Sequence, residues 1–277
     1  MKTASDRVSV RETLQAPTIH ELWEKTYRTL QCERFYEKAF DWIIASSGLP
    51  ANAKALDIGC GIGQHSIRMA RRGLKVVAAD FSPDRVVAAR HNVKAQGIAH
   101  RINVCNEDLE EGLSFDAEAF DLVLCWGVLM HVPDNEQAMS ELVRVTKVGG
   151  KIILYEVNLF GLDAFATLLA TILKAAFGKN RTKRIVINRY GLEYWVESES
   201  GDLLTRHTRP AGLKRFFMAR GCRLQFRVAG QFTEQFSRFR RFRVIHSLIH
   251  GLNSFWFSVI RAPYLAHGNL LVFEKVA

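Results

Sequence analysis

The stretch Ala55–Ser66 reads ALDIGCGIGQHS, and 17 residues beyond Gly63 the acid Asp80 closes a second apolar run, KVVAAD. Ala55, Leu56 and Ile58 form a short run of strand type. Glycines at 59, 61 and 63 then permit a sharp turn and a close backbone approach to a ligand, because no Cβ intervenes. Gln64–Arg72, with Ile67, Met69 and Ala70 among polar residues, reads as a helix whose first amides face that ligand. An acid ending the next strand is placed to accept hydrogen bonds from ribose hydroxyls. Such a segment commits the chain to a strand–turn–helix–strand unit around a nucleotide-type cofactor.

The glycine spacing narrows the cofactor. A dinucleotide fingerprint requires G-x-G-x-x-G, whereas here the order is D-x-G-x-G-x-G with Asp57 at the strand end. A carboxylate there suits a cationic ligand with an amino group and repels a pyrophosphate. On these residues the chain resembles the class I S-adenosylmethionine (SAM)-dependent methyltransferases, in which this motif holds the methionine part of the cofactor. The resemblance implies SAM as cofactor, with Asp57, Gly59, Gly61, Gly63, Asp80 and Phe81 at its site. It continues through Asn106-Glu107-Asp108-Leu109, where the family places an acid at the adenine amino group; Asp108 matches that position, with Leu109 beside it. Cys125-Trp126-Gly127 ends the fourth strand, where the family passes its backbone close to the methionine moiety and the transferable methyl. Trp126 either lines the cofactor or only packs. The run FDLV followed by HV-x-D is that of the broad small-molecule group. The Asn/Asp-Pro-Pro-Tyr motif of amino-methylating DNA enzymes is missing, which disfavours a nucleic-acid partner, and no carboxylate set suits a catalytic magnesium, so no metal is expected.

Further along, strands and helices alternate. Residues 18–46 carry apolar side chains at helical steps, and Gly48, Pro50 and Asn52 break the pattern. Ser82-Pro83 caps a helix over 84–96 that ends at Gly97. Strands are expected at 102–105, 120–126 and 151–157, with a helix over 136–146 and a turn at Gly149-Gly150. A capped helix over 208–221, a strand at 222–228, an apolar helix at 244–261 and a strand at 269–276 follow. The fold class is therefore α/β: a doubly wound, seven-stranded, mostly parallel sheet ending in an antiparallel hairpin, with an N-terminal helical cap and helical lid insertions. The expected divisions are a cap over 1–50, a SAM-binding core over 51–158, an apolar and basic lid over 159–207, and sheet completion over 208–277 interrupted by an insertion at 230–268.

Charge and hydropathy single out the second half. Up to Val157 the chain holds 19 Lys+Arg against 21 Asp+Glu, and beyond it 19 against 7, or −2 and +12 of the net +10. Residues 159–177 are apolar apart from Asp163, Thr167, Thr171 and Lys174, which fall on one narrow helical stripe. A basic cluster follows at Lys179, Arg181, Lys183 and Arg184, and FTEQFSRFRRFR at 232–243 alternates aromatics with arginines. Asp163 and Lys174 argue against a membrane span. The helix is either a buried lid or dimer helix, or an interfacial helix on an anionic membrane surface. The asymmetry equally fits a solvated basic surface. The opening MKTASDRVSV lacks an apolar stretch, so a cytoplasmic location is expected, with a peripheral membrane location left open. Five cysteines without C-x-x-C spacing read as buried free thiols.

For chemistry, His131 in the loop after strand four can titrate near neutrality and is the candidate general base, although this group often has a structural histidine there. Glu156, at the end of strand five, also points toward the edge where doubly wound folds bind ligands. Tyr190, Tyr194, Trp195 and His207 are candidates for an aromatic acceptor pocket, or simply pack. The expected activity is methyl transfer to a hydroxyl of a hydrophobic or anionic small molecule. An RNA- or amine-directed enzyme and a SAM-binding regulator without turnover are the alternatives.

Overall fold

A computed structural model describes residues 4–177, 182–239 and 241–277. Of the basic cluster residues, Lys179, Arg181 and Arg240 lie outside the described residues. Three helices open the chain: α1 (Ala4–Gln15), α2 (Pro17–Tyr27) and α3 (Leu30–Ser47). An alternating series follows: β1 (Lys54–Ile58), α4 (Gln64–Arg71), β2 (Lys75–Asp80), α5 (Pro83–Ala95), β3 (Ile102–Asn106), β4 (Phe120–Trp126), α6 (Asn135–Val145) and β5 (Thr146–Val157). Next come α7 (Leu162–Ala176) and three strands, β6 (Thr182–Asn188), β7 (Gly191–Ser198) and β8 (Gly201–Thr208). α8 (Pro210–Met218), β9 (Cys222–Ala229), α9 (Arg243–Phe255) and β10 (Gly268–Lys275) end it.

Seven strands form one sheet in the order β3-β2-β1-β4-β5-β10-β9. β1 pairs in parallel with β2 and β4, and β2 with β3. Leu122, Val123, Leu124 and Cys125 of β4 are fully buried, as a strand covered on both faces requires. Removing one such leucine side chain costs about 2–5 kcal/mol. The last two strands run antiparallel: the Gly230 N–H reaches the Gly268 carbonyl at one end, and the Val276 N–H reaches the Gly221 carbonyl at the other. The strand order reverses between β1 and β4, and ligands of doubly wound sheets bind outside the carboxyl ends at such a point.

Two compact units interleave in the sequence. One comprises Ala39–Leu154, Arg215–Phe226 and Leu271–Ala277; the other comprises Met1–Lys38, Tyr155–Lys214 and Arg227–Leu270. We call them the glycine-loop unit and the insertion unit. In the insertion unit β6, β7 and β8 form a separate antiparallel sheet. Glu193 is buried in it at 0% exposure and Arg206 at 1%. The Glu193 Oε1 accepts the Arg206 Nε–H at 3.0 Å and the Nη2–H at 2.7 Å, and the Asn188 Nδ2–H at 2.6 Å. Val10 of α1 joins Trp195 and Leu204 in a small core, and the Asp202 N–H donates to Ser9 Oγ at 2.8 Å.

Several local expectations are corrected. The segment 159–207 is helical only through α7; from Thr182 it forms the three-stranded sheet, which carries polar residues such as Glu193 and Arg206 on buried positions. Gly149-Gly150 is no turn between elements: β5 begins at Thr146 and passes through it, with Gly149 at φ 80°. The helix at 84–96 starts at Pro83, and Ser82 holds the cap position without a side-chain cap bond. The N-terminal helical run divides into α2 and α3, with α1 ahead of it. The helix at 244–261 ends at Phe255 and continues as one π-helical stretch, Trp256–Ile260.

Candidate active site

The site is assembled by register. Ile58 pairs with Ala79 on one side and Cys125 on the other, and Asp80 pairs with Asn106. Because these four strands are parallel, the loops that follow them leave the sheet at one edge. That edge therefore carries the glycine loop, Asp80–Ser82, Glu107–Gly112 and Trp126–His131.

The glycine loop takes the conformation its sequence requires. Gly59, Gly61 and Gly63 sit at φ 72°, 54° and 79°, where an L side chain is disfavoured by about 1–2 kcal/mol. A Cβ on Gly59 would also lie 2.3 Å from Val128 Cγ2, whereas one on Gly61 would meet nothing within 4 Å. Gly59 and Cys60 donate to the Ala79 carbonyl at 2.8 and 3.0 Å, and Asn92 Nδ2 donates to the Ile62 carbonyl at 2.9 Å. Gly63 starts α4.

Asp80 is buried, and each of its oxygens is engaged by backbone. Oδ2 accepts the Gly61 N–H at 2.8 Å and Oδ1 the Ser82 N–H at 3.0 Å. These two bonds pin the carboxylate beside the glycine loop. The open space over Gly61 beside this carboxylate is the feature that fits a SAM-type ligand. Asp108 Oδ1 accepts the Glu110 N–H at 2.8 Å. Leu109 is buried beside it and Phe81 is half-buried.

Asp57 lies deeper, at 1% exposure, and accepts the Ser66 hydroxyl at 2.5 Å. It thereby fastens β1 to the first turn of α4. Burial pushes its carboxyl up to about 6; the Ser66 hydrogen bond opposes this and the charge of Asp80 adds to it. A cation at this edge would draw that value down again.

Trp126 is part of an aromatic stack that the sequence did not reveal. The Phe40 ring lies 5.0 Å from His65 and 5.7 Å from Trp126, and His65 is 4.9 Å from Trp126. The buried Arg68 donates to His65 Nδ1 at 3.1 Å, so that nitrogen accepts and the ring proton sits on Nε2. Burial, reinforced by the Arg68 charge, holds the imidazole well below its ordinary value. The signal available was the i, i+3 spacing of His65 and Arg68 behind the glycines. His131 is half-buried at the end of a one-turn 3-10 helix, Leu129–His131, and its N–H donates to the Val128 carbonyl at 2.9 Å.

Glu156 belongs to the insertion unit. Its Oε2 accepts the Thr208 hydroxyl at 2.9 Å, and its buried Oε1 meets no polar partner among the described residues. Burial drives this carboxyl up to about 7. Nearby in sequence, the His207 ring stacks at a tilt 4.9 Å from Tyr194, and burial lowers the His207 value to about 4. Trp195 is a core residue: its Nε1–H donates to Glu193 Oε2 at 3.3 Å, and the Arg184 guanidinium lies 4.0 Å from its ring.

Comparison with known proteins agrees with this geometry. A methyltransferase from Clostridium acetobutylicum, S-adenosylmethionine-dependent, superposes with a TM-score of 0.61 over 94% of this chain and 98% of its own, at 11% identity. The fold and the edge described above define a class I, Rossmann-like methyltransferase architecture. Residues 56–154 match the methyltransferase domain family model; the chain carries a class I SAM-dependent methyltransferase domain, and SAM is its cofactor. A ubiquinone biosynthesis O-methyltransferase of Xanthomonas axonopodis pv. citri is 36% identical over 39% of this chain and 45% of its own length. The Streptomyces halstedii methyltransferase GfsG is 29% identical over 65% of this chain and 64% of its own. The chain thus spans about half to two thirds of the length of these curated relatives.

Proposed function

We propose that the protein transfers the methyl group of SAM to a hydroxyl oxygen of a hydrophobic small molecule. The carrying observation is the shared sheet edge: the loops bearing the cofactor glycines and His131 follow strands β1 and β4, which pair directly. The O-methyltransferase name of a curated relative supports oxygen as the atom methylated.

Bound SAM supplies a methyl group already activated on a sulfonium sulfur. The chain holds and orients. Asp80 would take the ribose hydroxyls, Asp108 the adenine amino group, and the Gly59–Gly63 backbone the methionine part, with Asp57 tying β1 to α4 through Ser66. Alignment of the acceptor oxygen with the methyl carbon and sulfur accounts for about 7–11 kcal/mol of rate enhancement. With the sulfonium methyl transferred to the acceptor oxygen, the His131 imidazole would take the hydroxyl proton and pass it to solvent. Such a base contributes about a hundred- to ten-thousand-fold.

The test is transfer from methyl-labelled SAM to a panel of phenols and catechols graded by apolar tail length, analysed for O-methyl ethers. His131→Ala should lower kcat about a hundredfold or more while leaving SAM affinity unchanged, and Glu156→Gln should not. Label recovered on nitrogen, or a wild-type rate in His131→Ala across pH, overturns the proposal.

A further inference from the structure

Two helices of the insertion unit are amphipathic the wrong way round for water. On α7 the exposed large apolar residues are Leu162, Phe165, Leu169, Ile172 and Leu173, one stripe at steps of three and four, with Phe165 at 72% exposure. Its polar stripe is turned inward as far as Thr171, Lys174 alone reaching solvent. Asp163 is buried, with its carboxylate accepting the Thr233 hydroxyl at 2.8 Å and the Glu234 N–H at 2.6 Å; Thr167 and Thr171 are half-buried. On α9 the pattern repeats. Val244, Leu248, Leu252 and Phe255 are exposed, Val244 at 73%, while His250 and Asn253 are buried. Asn253 accepts the Thr233 N–H at 3.0 Å and donates to its carbonyl at 2.9 Å. The same short segment, Thr233–Glu234, therefore anchors both helices by their polar sides. A helix in contact with water alone would settle in the opposite orientation.

Charge selects what covers these faces. Arg238 and Arg241 precede α9, Arg243 opens it and Arg261 follows it, all exposed, and Lys174 stands exposed in the last turn of α7. No acid occupies the exposed stripes. An apolar face bordered by cations matches a bilayer with anionic headgroups, in which apolar side chains enter the headgroup–acyl boundary and arginines meet phosphate. No described helix is long and apolar enough to cross a membrane, so the contact lies in the plane of the surface. We propose that the apolar faces of α7 and α9 dock this protein on an anionic lipid bilayer. The proposal goes beyond methyl transfer and does not depend on it.

The experiment is co-sedimentation of the full chain with vesicles of phosphatidylcholine alone or mixed equally with phosphatidylglycerol, at low and high salt, with the oligomeric state measured alongside. The wild type should sediment with the mixed vesicles and be released by salt. The double variant Phe165→Gln/Ile172→Gln alters only exposed side chains, so folding should persist. It should lower the partition coefficient by roughly tenfold or more per residue. Arg241→Glu/Arg243→Glu should weaken binding by about fivefold per lost cation on the mixed vesicles and leave the neutral ones unaffected. Failure of the wild type to bind mixed vesicles at low salt overturns the proposal. So does undiminished binding by Phe165→Gln/Ile172→Gln, or a dimer that this variant dissociates in the absence of vesicle binding, which would make a second copy the occupant.

Discussion

Asp57→Asn isolates the cost of keeping a carboxylate under the glycine loop. The folded protein holds this group at about 6 against an ordinary value of 3.8, a rise of roughly two pH units, or about 3 kcal/mol. The sign follows from linkage: with the folded value above the unfolded one, the folded state binds the extra proton. Stability is full below the unfolded value and is lost as pH rises through the folded one. Asparagine preserves the shape and still accepts from Ser66, so the variant should be more stable than the wild type at pH 7.5, by up to about 3 kcal/mol. That advantage should shrink between pH 6 and pH 4 and vanish below it. Urea titration across pH reads the difference. Cofactor binding should show the opposite face of the same charge. Cationic SAM favours the ionised form, so wild-type affinity should be constant above pH 6 and fall below it, by at most tenfold per unit, whereas the variant should bind more weakly and with little pH dependence. Calorimetry at pH 6 should record proton release by the wild type. A variant less stable than the wild type at pH 7.5, or a wild-type affinity flat from pH 5 to pH 7.5, would refute the reasoning.

The other expectations concern the loop, the ribose acid and the buried ion pair. Gly59→Ala should abolish measurable SAM binding by calorimetry, because its Cβ collides with Val128. Gly61→Ala meets no protein atom, so it should cost the fold only the roughly 1–2 kcal/mol of backbone strain, while its methyl enters the space assigned to the cofactor and should weaken SAM binding as well. A fold no less stable in Gly59→Ala than in Gly61→Ala by urea titration would show that Val128 yields. Asp80→Ala should remove SAM binding and also free the Gly61 and Ser82 amides, so unchanged affinity would exclude it as the ribose acceptor. Glu193→Gln leaves Arg206 buried without its counter-charge and should destabilise the insertion unit by about 3–5 kcal/mol, seen as an earlier urea transition; a shift under 1 kcal/mol would mean that water reaches the arginine.

The cofactor half was legible because its signals are local. Glycines at fixed steps, an acid at a strand end and the all-apolar FDLVLCW each specify a backbone geometry without reference to distant residues. Asp57 was placed correctly at the strand end, but its depth and its tie to Ser66 depend on how α4 returns over β1, which spacing does not encode. The Phe40–His65–Trp126 stack joins three separate elements and left no periodic trace. The insertion unit was the harder half. β6–β8 carry Glu193 and Arg206 on buried positions, so alternation of polar and apolar residues points the wrong way there. α7 showed its polar stripe plainly in the sequence, yet a stripe does not say which side faces inward, and the usual assumption reverses the truth in this protein.

The small core under β7 and β8 has a consequence for synthesis. α1 is made well ahead of its partners: Trp195 and Leu204, which pack with its Val10, follow nearly two hundred residues later. Until they emerge, Ser9 and Thr13 have no strand to meet, and α1 on its own is too short to hold a helix. An early-made segment must wait for a late-made sheet, and that sheet leaves Trp195 and Leu204 without their α1 partner until the two meet. A substitution at Val10 would therefore be felt at β8, nearly two hundred residues further along the chain.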